Sequence, residues 1–310
     1  MRILMIGAGA IGGYFGARLA AKGNDVTFLV REARADNLAK KGLRVSSPAG
    51  DVTIAKPQTV TRDAPGKGYD LAVVTCKAYD LPSVIEDMRP AIQEGTAILP
   101  LLNGMGHLDA LDAAFGKKAV LGGQCVIAAT LADDGAIVHL NDAQALTFGE
   151  RDGAANLHVE AIRATFADAG IPVTESPNII LDMWEKWVFL ASLAASTTLM
   201  RAPVGAILVA PGGAEFLLEM AEECRAIAEG EGFAPRDTAM QRLQSMLTTP
   251  KSPLTASMLR DIEKGGRVEA DHVIGDLLAR GCAHAPAVER PNLAMAYRAL
   301  KAYEARRESV

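Results

Sequence analysis

Residues 3–12, ILMIGAGAIG, decide the fold: a short continuous apolar run passes directly into Gly7-Ala8-Gly9-Ala10-Ile11-Gly12. The run reads as a strand covered on both faces, residues 11–22 are compatible with a helix, and a second apolar run at residues 26–30 completes strand, turn, helix, strand. A GxGxxG turn in that setting needs glycine because its backbone must approach a pyrophosphate closely. The helix that follows turns free N–H groups and the positive end of its dipole toward the anion. Gly7, Ala8, Gly9, Ala10, Ile11 and Gly12 are therefore candidate dinucleotide ligands.

Further continuous apolar runs lie at residues 71–75, 96–102 and 119–121, each separated from the last by room for a crossover helix. They predict more strands of one doubly wound parallel sheet. Residues 126–131 and 136–140, joined through Asp133-Asp134-Gly135, read as a hairpin; residues 157–169 read as a helix and 171–174 as a strand. From Ile179 onward the pattern becomes helical. Residues 215–229, 236–247, 268–280 and 292–305 repeat apolar positions at intervals of three and four, with Pro or Gly between them. The expected architecture is an α/β domain over residues 1–176 and an all-helical domain over residues 177–310.

The chain of 310 residues is 49% hydrophobic and 22% charged, the composition of a folded protein, which excludes disorder and collagen-like repeats. Lys+Arg 32 against Asp+Glu 37 gives a net charge of -5 with no basic arm, so nucleic acid is not an expected partner. Cys76, Cys125, Cys224 and Cys282 lie far apart and form no CxxC pair, and they read as reduced thiols of a cytoplasmic protein. The histidines, His107, His139, His158, His272 and His284, show no HExxH or paired spacing, so no metal is expected. His272, beside Asp271, reads as a helix-surface residue. The chain enters an apolar strand after Met1 and Arg2 without a basic region, apolar core and cleavage site in series, so a secretory signal is not expected. The longest uncharged apolar stretch, residues 187–200, is short and rich in Ser and Thr, which predicts a buried helix and no membrane partner.

At the end of the second strand, where an NAD-specific domain places Asp or Glu on the ribose hydroxyls, stands Arg31, with Arg34 close behind. A carboxylate repels a 2′-phosphate, whereas a guanidinium binds it through paired, charge-assisted hydrogen bonds, so the residue choice favours NADPH. Lys77 follows the run that ends at Thr75, and Asn103-Gly104-Met105-Gly106 follows the next run, both at the edge where open α/β sheets bind ligands. Ser257 and Asp261, four apart, share a face if helical, and the Gly265-Gly266 break lets Glu269 begin the next helix.

The ordered set of GAGAIG at residues 7–12, Arg31 after FLV, TCKAYD around Lys77, NGMG at 103–106, WEKW around Lys186, and SMLRDI with VEAD within residues 257–271 resembles the ketopantoate reductase (2-dehydropantoate 2-reductase) family along essentially the whole chain. The resemblance implies a Rossmann-type domain followed by a helical domain. It also implies NADPH-dependent reduction of a small 2-oxo acid, ketopantoate to pantoate in pantothenate biosynthesis. Carried over by position, it places residues 7–12, Arg31, Lys77, Asn103, Ala129 and Glu269 at the cofactor, and Asn103, Lys186, Ser257 and Asp261 at the substrate. Lys186 then looks like the general acid, Ser257 like a ligand of the substrate carboxylate, and Glu269 like the acidic residue near the reacting centre. The chemistry agrees, since a ketone accepting hydride develops alkoxide charge that a positioned ammonium both stabilises and protonates. A homodimer is left open.

Two other readings stay beside it: another hydroxy acid dehydrogenase with a Rossmann and a helical domain, and a non-catalytic NADPH-sensing protein. Arg31 with SMLRDI and Glu269 argues against the first, and Lys186 with Glu269 against the second. On the substrate side the chain departs from the family pattern. Leu190 and Ala194 stand four and eight residues after the lysine, where pantoate-binding members carry asparagines, and Val204 and Ile274 replace two more. These residues predict apolar pocket walls, with each lost hydrogen bond to a substrate hydroxyl costing about 1 to 3 kcal/mol. Ser192, Ser196, Thr197 and Thr198 are candidates for substitute contacts.

Overall fold

Residues 1–154 and 156–309 are described by the computed structural model. They divide into two units, one comprising Met1–Leu102 and His107–Ile180, the other Asn103–Gly106 and the chain from Leu181 onward. The first unit runs β1 (Arg2–Ile6), α1 (Ala10–Ala21), β2 (Asp25–Leu29), α2 (Glu32–Lys41), β3 (Leu43–Ser46), β4 (Val52–Ile54), β5 (Gln58–Val60), β6 (Leu71–Val74), α3 (Leu81–Met88), β7 (Ala97–Pro100), α4 (Gly106–Phe115), β8 (Gly122–Leu131), β9 (Ile137–Gly149), α5 (Leu157–Asp168) and β10 (Val173–Glu175). Five of these strands form a wholly parallel sheet in the order β5-β2-β1-β6-β7. Ile3, Leu4 and Met5 of β1 and all four residues of β6 have no exposed surface. Burial on both faces is why these strands read as unbroken apolar runs. From β1 the chain moves outward through β2 and β5, then returns to β6 on the other side, so the loops after β1 and β6 flank a topological switch point.

A second sheet, in the order β10-β9-β3-β4, takes the expected hairpin as β8 paired antiparallel to β9. Helix α1 touches strands of both sheets, which is why most of its length is buried. Its Tyr14 hydroxyl donates to Oε1 of Gln144 on β9. The apolar run at residues 119–121 is not the strand expected. A 3-10 turn over Lys117–Ala119 is followed by a single bridge from Val120 to Ile98. Val120 and Leu121 are buried there, and Gly122 already starts β8 of the other sheet, so the three-residue run fills core without extending a ladder.

The second unit contains α6 (Ile179–Met200), α7 (Val204–Ile207), α8 (Gly213–Gly230), α9 (Asp237–Leu247), α10 (Ser257–Glu263), a π-turn over Asp271–Gly275 that leads into α11 (Asp276–His284), and α12 (Pro291–Glu308). The helix expected at 268–280 thus opens with i→i+5 geometry. Residues 191–198 of α6 are all buried, and no helix of the described residues is long and apolar enough to cross a membrane. Trp184 and Trp187 lie 4.8 Å apart, Phe233 stacks on Trp184 at 5.7 Å, and the Arg280 guanidinium covers both indoles at 5.9 and 5.8 Å. Cys224 is fully enclosed, and burial pushes its thiol up to about 12, so it stays protonated.

The tightest steric constraint of the first unit is at Gly12, where a Cβ would run into the carbonyl oxygen of Gly7 and Oγ1 of Thr75. Gly12→Ala is therefore expected to destabilise the protein by about 1 to 3 kcal/mol, the usual cost of overpacking. The measurement is the urea midpoint of the intact chain; an unchanged midpoint would show that the turn relaxes freely.

Candidate active site

The glycine turn leaves β1 with Gly7 in the left-handed region, at φ 97°, while the Gly7 N–H donates to the Leu29 carbonyl at 2.9 Å. Gly9 then caps α1 in an extended conformation. No side chain caps the helix, and its first turn holds no acid. A Cβ at Gly9 would meet nothing within 4 Å, so a ligand oxygen can reach the backbone there. Uncapped amides, a positive helix end and an uncrowded glycine are the donor set a pyrophosphate requires.

Arg31 follows β2 and directly precedes α2. Its guanidinium is 71% exposed and pairs with Oδ1 of Asp80 at 2.9 Å. Asp80 ends the 3-10 turn Ala78–Asp80, whose N-terminal neighbour is Lys77, half-buried just beyond β6. Arg31, Lys77 and the glycine turn thus share the carboxyl edge of one parallel sheet. An exposed ion pair contributes about 0 to 1 kcal/mol, so Asp80 orients the guanidinium more than it stabilises the fold.

Arg34 does not join Arg31. Its Nε donates to the Ala8 carbonyl at 3.0 Å and Nη1 to Asn37 Oδ1 at 2.8 Å and the Gly135 carbonyl at 3.1 Å, with burial lowering its pKa. It braces the glycine turn from behind, a role that its position in sequence does not show. Ala129 sits on β8 just past an irregularity in register, opposite His139 of β9.

In the second unit, Lys186 is half-buried on α6. Its neighbour Glu185, together with Asp182, is bound by Arg236 at the start of α9, and the Arg236 main-chain N–H also donates to Glu185 at 2.8 Å. On the other flank the Trp187 indole N–H donates to the Val273 carbonyl of the π-turn at 2.9 Å. The lysine is therefore framed by two ties that fix the rotation of α6. Ser257, exposed, and Asp261, half-buried, lie one turn apart on α10, and Glu269 is buried just before the π-turn.

Asn103 and the three residues after it group with this unit, with Gly104 against His272 and Gly106 against His272 and Asp276. His272 is not the surface residue expected. It is half-buried, and burial pushes its imidazole below the usual range against the opposing pull of Glu269 and Asp276.

The four apolar replacements are not equivalent. Val204 and Ile274 have no exposed surface and Ala194 only 4%, so these three belong to the core; Leu190 alone is half-buried. The expectation that Val204 and Ile274 line an open pocket is corrected accordingly. Three of the hydroxyl candidates are also engaged within their own helix: Ser192, Thr197 and Thr198 donate to the carbonyls of Val188, Leu193 and Ala194. Ser196 is fully enclosed. A surface depression of about 640 Å³ on the first unit, lined in part by Lys117, Lys118, Glu150 and His158, contains none of the candidate residues. Among the described residues, no group of three or more His, Cys, Asp or Glu is placed to hold a metal ion.

Comparison with known proteins finds relatives that span both units. A curated relative from Bacillus subtilis (strain 168), the uncharacterized oxidoreductase YkpB, is 38% identical over 306 residues, covering 98% of this chain and 99% of its own. The crystal structure of 2-dehydropantoate 2-reductase from Geobacter metallireducens superposes with a TM-score of 0.88 at 27% identity, covering 97% of this chain and 99% of that one. D-mandelate dehydrogenase in ternary complex with NADH and anilino(oxo)acetate shares the fold, with a TM-score of 0.88 at 20% identity over 99% of this chain and 100% of that one. Residues 3–153 match the family described as ketopantoate reductase PanE/ApbA and residues 178–304 its C-terminal part, so the chain belongs to the ketopantoate reductase family of oxidoreductases.

Proposed function

We propose that this protein is a cytoplasmic, NADPH-dependent reductase of a small 2-oxo acid, with residues 1–176 binding the cofactor and residues 177–310 supplying catalytic and substrate groups. The observation that carries the reading is the pairing of a side-chain-uncapped glycine turn at the switch point with Arg31 at the end of β2, in a chain that belongs to a reductase family. Bound at the turn, NADPH would supply the hydride for the carbonyl carbon. Gly7, Ala8, Gly9, Ala10, Ile11 and Gly12 hold the pyrophosphate, Arg31 the 2′-phosphate, and Lys77, Ala129 and Asn103 the rest of the dinucleotide. Lys186 stabilises the developing alkoxide and protonates its oxygen. Ser257 hydrogen bonds to the substrate carboxylate, with Asp261 one turn further on. Glu269 sets the charge beside the reacting centre. The first experiment is NADPH oxidation by the intact protein over a panel of 2-oxo acids; tight NADPH binding without turnover of any of them would favour a sensor instead.

On the cofactor side, NADPH is expected to bind at least about tenfold more tightly than NADH, a difference of about 1.4 kcal/mol. Arg31→Asp should abolish or reverse that preference, because it places a second carboxylate beside Asp80 where the phosphate sits. Equal affinities of the native protein for the two cofactors, measured by fluorescence titration, would remove the basis for the assignment.

For the chemical step, Lys186→Ala is expected to lower kcat by roughly a hundredfold or more while leaving NADPH affinity within about a factor of three, since the loss falls on the transition state. Near-native turnover in that variant would show that the lysine is only part of the helix surface.

For the substrate, Leu190 is the partly exposed one of the four replacements, so the apolar preference rests mainly on it. A 2-oxo acid with an alkyl or aryl side chain is expected to show a higher kcat/KM than ketopantoate, and Leu190→Asn should move the ratio toward ketopantoate by about tenfold, the worth of one buried hydrogen bond. A native enzyme that prefers ketopantoate across the panel would overturn this.

A further inference from the structure

His272 lies at the point where the Asn103–Gly106 loop meets the π-turn. A ring nitrogen hydrogen bonds to the main chain of Asn103 and pulls the imidazole pKa up, as a carbonyl acceptor does. The ring also covers the loop. A Cβ at Gly104 would stand 2.9 Å from the His272 carbonyl oxygen and 3.3 Å from its Nε2, and Gly104 adopts φ 77°, a conformation that favours glycine. A Cβ at Gly106 would lie 3.2 Å from Oδ2 of Asp276 and 3.6 Å from the imidazole. Two glycines three residues or less from Asn103 thus exist to let one histidine and one aspartate of the π-turn region approach the backbone.

The same turn is tied from behind. The Trp187 indole N–H holds the Val273 carbonyl, and Asp276 Oδ1 accepts from Arg280 Nε at 3.1 Å, while Arg280 Nη1 donates to Glu231 at 3.2 Å. A π-turn shifts the following side chains around the helix by roughly one position, and such turns recur where function requires an off-register side chain. Here His272 within the turn and Asp276 directly after it are the residues that meet the loop.

We propose that His272 is a positioning residue: its hydrogen bond and ring contact hold the Asn103–Gly106 loop in one conformation and so fix where the Asn103 side chain is presented to its ligands. The inference rests on the reading that Asn103 contacts cofactor or substrate. Burial keeps the ring neutral near pH 7, with one N–H for the Asn103 carbonyl and one nitrogen lone pair. Glu269 and Asp276 face it with negative charge and Arg280 with positive charge.

The test uses the intact chain and two independent readouts. His272→Phe keeps the ring volume and removes the N–H; His272→Asn and His272→Gln return an amide donor near the place of Nδ1 and Nε2 respectively. In His272→Phe, hydrogen exchange of the peptide spanning residues 101–108 should accelerate about tenfold, and KM for the preferred 2-oxo acid should rise by a similar factor with kcat within about threefold. At least one of the two amide variants should recover most of both effects. Unchanged exchange in His272→Phe overturns the proposal, whatever the activity; so does equal acceleration in all three variants, which would mark a purely steric role. The exchange arm decides even if no 2-oxo acid is turned over, so failure of the functional reading and failure of this inference are separate results.

Discussion

The close approach of α1 to the sheet at Gly12 is the constraint on which the cofactor side depends. With no Cβ in the way, the first turn of α1 packs against the Gly7 carbonyl and Thr75, and Thr75 Oγ1 in turn donates to the Ile6 carbonyl at 2.8 Å, tying the ends of β1 and β6 together. The helix end is thereby held at the switch point of the sheet, where its amides and dipole act on an anion. Gly7 turns the chain through a left-handed conformation, and Arg34 fixes the next carbonyl, that of Ala8. Each of these contacts orders backbone that a flexible glycine-rich segment would otherwise leave free, at an entropic cost of about 1 to 2 kcal/mol per residue. The neutral-to-charged bonds from Arg34 and the burial of Tyr14 and Phe15 offset that cost within the same unit.

The second unit solves a different problem, which is to keep an ammonium and a carboxylate partly out of water. Lone buried charges are expensive, so each candidate group is set among others. Lys186 follows Glu185, which is bound with Asp182 by Arg236, and Glu269 precedes a turn whose Asp276 is bound by Arg280. The indoles of Trp184 and Trp187 exclude water around that cluster and lie under the Arg280 guanidinium. The ion pairs are partly exposed and contribute little stability one by one. Their effect is orientation: they fix the rotation of α6 and the start of α11, on which Lys186 and the π-turn depend.

Legibility in the sequence followed burial. Strands β1, β2, β6 and β7 are covered on both faces and gave continuous apolar runs that could be read directly. Strands β3, β4 and β5 are three or four residues long, and β3 alternates buried Leu43 and Val45 with outward Arg44 and Ser46, a signal too short to separate from a loop. The second sheet was therefore legible only in its hairpin and in β10, which the run at residues 171–174 predicted. In the site, the glycine turn was legible because its chemistry is local. The partners of its neighbours were not. Asp80 meets Arg31 from another strand's loop, Arg34 reaches back to Ala8, and His272 meets Asn103 across 169 positions of chain, by the difference of their numbers. The π-turn left no mark in the pattern either, since one inserted helical residue shifts a periodicity without breaking it.

Leu190, Ala194, Val204 and Ile274 show the same dependence on burial from the other direction. At fully enclosed positions such as Val204 and Ile274, an amide needs partners for each of its polar atoms, and an unmet one costs about 1 to 3 kcal/mol. Valine and isoleucine remove that demand and let the helices close, so their effect on a ligand is through packing and shape. Leu190 keeps some exposure and meets solvent or ligand directly. A wall of this kind discriminates weakly by attraction, since an extra methylene is worth about 1 to 3 kcal/mol, but it offers no partner to a buried hydroxyl. Selectivity in such a site comes from what the substrate loses on entry, and the polar end of a 2-oxo acid, held by Ser257 and Asn103 in the proposed reading, is common to every competitor. In that reading the side chain of the acid, and the half-buried Leu190 on α6, carry the difference.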